Sequence, residues 1–222
     1  MEMAPPLSLT LLRWLHDTGM LSLFGALAFA PTVLPADLRP PMRSLLTRIG
    51  WISGVVALLA GFAWLLAETG YVAQVQGVGP IIGSVPAFVG YVRFGQLLLG
   101  QLACVACALV LCRWPGAALG FAGCALVLQP WMGHPGATGA GMAISEIVHL
   151  AAAGAWLGGL VPLLGCLAVL PPAEAARAFR NFNWGRADRS GDAVGNRVGA
   201  GVCSCRWAAW PGGHHIRARR LA

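Results

Sequence analysis

Five apolar runs, at about 7–34, 45–67, 92–112, 117–131 and 142–170, account for most of the sequence. A hydrocarbon core about 30 Å thick needs ~20 apolar residues in helical form to cross it. Four of the runs reach that length. The fourth is short, with Gly116 and Gln129 to Met132 available to extend it into the interface. A backbone in lipid must satisfy its own hydrogen bonds, so runs of this kind predict an all-α polytopic transmembrane helix bundle of about five spans.

Composition excludes the soluble alternative. Charged residues make up 10% of the chain and hydrophobic ones 57%, and the mean hydropathy is +0.69. A soluble domain carries about a quarter charged residues, so this chain could not cover a globular surface. The first run is too long for a signal peptide and lacks a basic leader and a cleavage site. The net charge of +7 does not point to nucleic acid. Eight Arg stand against six acids up to residue 181, and seven against two afterwards, so the excess lies in the tail. No aromatic-basic interleaving in the apolar part offers a base-stacking surface.

Arginine placement orients the spans. Arg39, Arg43 and Arg48 follow the first run, Arg113 follows the third, and Arg177 and Arg180 follow the fifth. The connections 69–91 and 132–141 hold no Arg. By the positive-inside rule the N-terminus and these two loops lie outside the cytoplasm. Arg13 is the one dissenter.

This topology collects the polar groups at one level. His16 and Asp17 fall in the outer half of the first span, Glu68 and Arg93 at outer ends, and His134 in an outer loop. Glu146 and His149 lie one helical turn apart near the start of the fifth, with His149 about 10 Å deep at 1.5 Å per residue. Ionisable residues in spans are costly, and they mark pathways or sites. Single residues carry less than the convergence does. Alone, His16 or His149 reads equally as a hydrogen-bonded packing residue, Glu68 with Arg93 as an interfacial ion pair, and His134 as a turn residue.

Methionines accompany these histidines: Met20 one turn below His16, and Met132 and Met142 flanking the His134 loop. Thioether and imidazole together suit copper, although Met is also routine filler in apolar helices. Cys104, Cys107, Cys112, Cys124 and Cys166 lie in apolar runs and read as small hydrophobes. The first and fifth spans also share a pattern, a His followed nine residues later by Gly, in His16 with Gly25 and His149 with Gly158. Small residues permit close helix approach in membranes, so these two spans are expected to be partners.

Gly133-His134, Val148-His149-Leu150-Ala151-Ala152 and Trp156-Leu157-Gly158-Gly159-Leu160 with Pro162-Leu163 resemble the core of the CopD/PcoD copper resistance membrane proteins. Arg13-Trp14-Leu15-His16 with Gly25 is similar to that family's first histidine helix, and Phe94-Gly95 ahead of Arg113 to its middle-helix pattern. The resemblance covers about 7–181. Arg93 departs from it, standing where a small hydroxyl residue is expected, and so does Phe24, in place of a Trp. Members also continue with further spans.

The resemblance implies a bacterial inner-membrane, non-enzymatic protein of copper export or uptake that offers His16, His134 and His149 towards the periplasm. Met20, Met132 and Met142 are candidate thioether donors. Asp17, Glu146, Glu68 and Arg93 are candidate outer partners, since ligating imidazoles usually donate their second N–H to an oxygen. Periplasmic copper-binding proteins are the expected partners beside the lipid bilayer. The rival reading is haem b held by histidines of two helices, in an electron-transfer protein of the cytochrome b type.

From about Phe182 the character changes. Residues 182–222 are rich in Arg, Gly and Trp without amphipathic period, so the domain division expected is 1–181 and 182–222. One reading is a basic tail of little structure in which Cys203, Cys205, His214 and His215 bind metal. The other is a frameshifted continuation of a longer chain: read one base later, Asp188-Arg189, Asp192-Ala193 and Asn196-Arg197 all become uncharged, and an apolar run is allowed. Sequencing the gene tests it. A shifted frame that meets an early stop or encodes no apolar span refutes the idea.

Overall fold

The computed structural model describes residues 7–133 and 139–183. These all belong to one compact unit, Met1–Gly185; Arg186–Ala222 lies outside the described residues. Within the described residues the chain is helical and has no strand. The α-helices are α1 (Leu7–Thr32), α2 (Arg39–Ala73), α3 (Val78–Tyr91), α4 (Arg93–Val110), α5 (Pro115–Leu128), α6 (Ala140–Val169) and α7 (Pro172–Asn183). A short 3-10 turn, Ala36–Leu38, precedes α2, and another, Gln129–Met132, prolongs α5.

Ala36–Ala73, Arg93–Val110 and Ala140–Val169 are long and apolar enough to cross a membrane. The two other expected spans fall short on separate counts. α1 has 26 residues, about 39 Å of helix, but Arg13, His16 and Asp17 lower its hydropathy. α5 has 14 residues, about 21 Å, and reaches further only through its 3-10 extension. The arginine-free connection 69–91, read as a loop, is mostly helix: α2 runs on to Ala73, where Gln74 in the left-handed conformation (φ 54°) ends it, and α3 follows. α3, with 14 residues, is too short to span.

α1 sits centrally, packed on α2, α6 and α5, while α4 and α5 pair beside it. The core is layered along the helix axes. Leu9, Trp64, Phe88 and Leu98 fill the end where α1 begins. Met20, Leu23, Ala57, Val105 and Ala122 fill the middle. Phe29, Met42, Leu163 and Ala178 fill the other end. There the amphipathic α7 buries Ala175 and Ala178, and Asn181 Nδ2 donates to Val33 O at 3.0 Å.

The expected partnership of first and last spans is present. Gly158 faces Leu21 and Gly25, and Gly154 faces Leu21 and Phe24, so α1 and α6 run parallel. A Cβ on Gly158 would stand 3.0 Å from Gly25 Cα and collide with Leu21 O. Since His16 and His149 each precede their glycine by nine residues, this register sets both histidines at one level.

Candidate functional site

His16 is fully buried, and α2 makes the room for it. On a helix, the side chain at i+4 shields the carbonyl at i. Gly61, four residues after Ala57, has no side chain; a Cβ there would lie 2.7 Å from the His16 Cε1. The imidazole fills that gap and its Nδ1 meets Ala57 O at 2.7 Å. The other ring nitrogen, Nε2, faces Gln101 Oε1 of α4 at 3.2 Å.

Gln101 extends the contact across the bundle. Its Nε2 donates to Ala125 O at 2.9 Å and to Gln129 Oε1 at 2.6 Å. Ala125 lies in the last turn of α5, whose carbonyls lack helical donors, so the amide caps that helix. Gln129 Nε2 in turn donates to Asp17 Oδ1 at 3.0 Å, and the Arg13 guanidinium stands 3.6 Å from Asp17 Oδ2. Two side-chain amides thus join His16 to Asp17, its neighbour in sequence, through α4 and the end of α5. Among the described residues no buried side-chain N or O is left without a partner.

Aromatic rings close the side towards the start of α1. Trp64 is tilted against His16 at 5.9 Å between centroids, and meets Phe94 edge-on at 5.2 Å. The Arg13 guanidinium lies 5.9 Å from the Trp64 ring centroid, within cation–π range.

The remaining candidates divide. Met20 is buried in the middle core layer, with Leu23, Ala57 and Val105, and Met132 packs against the cluster around Trp64. Met142 is 57% exposed. Glu68 and Arg93 do not pair with each other: the ion pairs among the described residues are Arg13–Asp17 and Arg177–Asp37. Arg93 is exposed at the first residue of α4, and Glu68 is half-buried. On α6, Glu146 is half-buried and His149 exposed, and neither has a hydrogen-bonding partner among the described residues. His134 lies outside the described residues, as do Cys203, Cys205, His214 and His215.

His16 and His149 therefore share a level without sharing an environment. One is enclosed by α2 and α4, and the other stands on the open side of α6. Among the described residues no group of three His, Cys, Asp or Glu is close enough to hold a metal ion. With both His16 nitrogens facing oxygen atoms, a metal could reach that ring only by displacing Gln101 or Ala57.

Residues 3–145 match the copper resistance protein D-like N-terminal domain. The chain belongs to the copper resistance protein D-like family. A relative is the inner membrane protein YebZ of Escherichia coli (strain K12), 23% identical over 188 residues, which cover 78% of this chain and 63% of YebZ. The chain thus spans less than two thirds of the length of that relative. No solved structure matches it. The family match includes His16 and His134 and ends one residue before Glu146, so it does not reach His149.

Gln101 and Gln129 are the site residues that sequence reasoning missed. Attention to titratable side chains passed over the amides, although Gln101 is a polar residue inside an apolar run. The Ala57-x-x-x-Gly61 spacing stands in the sequence, but nothing in α2 itself names the imidazole that fills the gap.

Proposed function

We propose that this membrane protein handles copper ions as cargo, without catalysing a reaction, at the end of the bundle where α1 begins. The Arg-rich opposite end supports reading this one as the periplasmic face. The observation that carries the reading is the α1–α6 register, which sets His16 and His149 at one level of a copper resistance family member. His149, exposed and without a partner among the described residues, is the ligand first available to an arriving ion. His134, in the connection leading into α6, is its proposed companion, with Met142 as a soft thioether donor suited to Cu(I). His16 joins by releasing Gln101, the longer of its two contacts, and Asp17 with Gln129 holds it in reserve. Periplasmic copper-binding proteins are the proposed donors or acceptors.

Elemental analysis of the purified chain after copper loading tests this reading. His149→Ala is expected to lower copper affinity at least about tenfold, a loss that outer-shell changes alone can produce at metal sites. Copper tolerance of cells carrying the variant should move with it. Unchanged copper content in His149→Ala refutes the assignment, and a Soret band in the purified protein would replace copper by haem b.

A further inference from the structure

At the end of the bundle away from His16, a cavity of about 520 Å³ opens between α1, α2, α4 and the start of α5. That volume falls within the ~300–1,000 Å³ of ordinary ligand sites. Its floor is apolar, made by the buried Leu23, Ala26 and Leu109. Trp51 forms one wall, its indole N–H donating to Cys112 Sγ at 3.3 Å. Arg39 and Arg43 line the same cavity and are exposed.

The two arginines differ in their commitments. Arg39 is held at the end of α1, its Nε donating to Leu34 O at 3.2 Å and its Nη2 to Pro31 O at 3.5 Å. Arg43 has no ion-pair partner among the described residues. The nearest acid in sequence, Asp37, is engaged by Arg177 at 3.0 Å. Both arginines also sit in the first turns of α2, where the helix dipole adds positive potential. An apolar chamber with an uncompensated cationic rim matches an amphiphile with a hydrocarbon chain and an anionic head.

We infer that this cavity holds an acyl chain of an anionic phospholipid whose phosphate pairs with Arg43. Basic pockets between membrane helices recognise such headgroups, and each arginine near a charged lipid surface contributes about fivefold in affinity. The cavity shares no residue with the His16 network, so failure of this inference leaves the copper reading untouched.

The test is native mass spectrometry of the full chain in mild detergent with equimolar phosphatidylglycerol and phosphatidylcholine of identical chains. Wild type should retain phosphatidylglycerol over phosphatidylcholine by about fivefold or more. Arg43→Gln should bring the two to parity while still carrying lipid. Gly50→Leu should lose both lipids, because Gly50 lines the cavity and a Cβ there meets only Leu23 Cδ1, at 3.8 Å. Equal retention by wild type, or a preference that survives Arg43→Gln, overturns the proposal. Displacement of the lipid by millimolar inorganic phosphate alone also overturns it, since the acyl chain would then contribute nothing. If Gly50→Leu does not fold, the Arg43→Gln comparison decides.

Discussion

Gly158→Leu is expected to separate α1 from α6 and to cost about 3 kcal/mol or more, the upper range for overpacking. The contact there is backbone against backbone. Gly158 lies against Leu21 O and Gly25 Cα, and a single Cβ already overlaps both. Helix main chains cannot rotate away as a flexible side chain would, so the helices must part along the whole seam. Gly154 with Phe24 and Gly159 with Phe182 would be disturbed with it. Denaturant unfolding of the purified protein in detergent measures the loss. Ala155→Leu, on the exposed side of the same helix, should stay within about 0.5 kcal/mol. Equal stability of the two variants would show that the α1–α6 seam is not as close as described. The loss should also bear on the proposed copper handling, because the seam sets His16 and His149 at one level.

Gln101→Leu is expected to be nearly as damaging for a different reason. It removes no volume to speak of, but strips a partner from His16 Nε2, from Ala125 O and from Gln129 Oε1. Each buried polar group left without a partner costs about 1–3 kcal/mol, and the total should be on the order of 3–5 kcal/mol, since network members are not independent. The exposed Gln96 on the same helix provides the comparison: Gln96→Leu should change stability by less than about 0.5 kcal/mol. A double-mutant cycle of Gln101→Leu with Gln129→Leu should give a coupling of at least about 0.5 kcal/mol. Additive losses would mean that the two amides do not act as one connection between His16 and Asp17.

The proposed copper handling and the stability of the fold meet in this network. His16 is poised near the proposed entry level, yet both of its nitrogens already face protein oxygens. Its recruitment by an ion would break its bond to Gln101, whose amide nitrogen caps α5 at Ala125 O and meets Gln129, the partner of Asp17. His149 faces no such cost, which places it first in the proposed sequence of contacts.

Much of this was legible in the residues themselves. Apolar runs located the long helices to within a few residues at most ends, because a chain of this hydropathy has no other way to satisfy its backbone in lipid. The matched spacing of His16 with Gly25 and His149 with Gly158 predicted the α1–α6 partnership, since small residues mark close approach. The helicity of 78–91 was not legible from charge, because an absence of Arg says which side of a membrane a connection occupies and nothing of its conformation.

Tertiary structure alone decided how the polar residues are used. Hydropathy placed His16 and His149 at one depth, but which side of a helix is enclosed depends on what packs there. Gly61 and Gln101 reach His16 only because α2 and α4 fold against α1, contacts 45 and 85 residues distant in sequence. The same packing buried Met20 among core side chains, left Glu68 and Arg93 apart, and placed His149 on the open side. Periodicity along one chain fixes position on a helix; burial is a property of the neighbours.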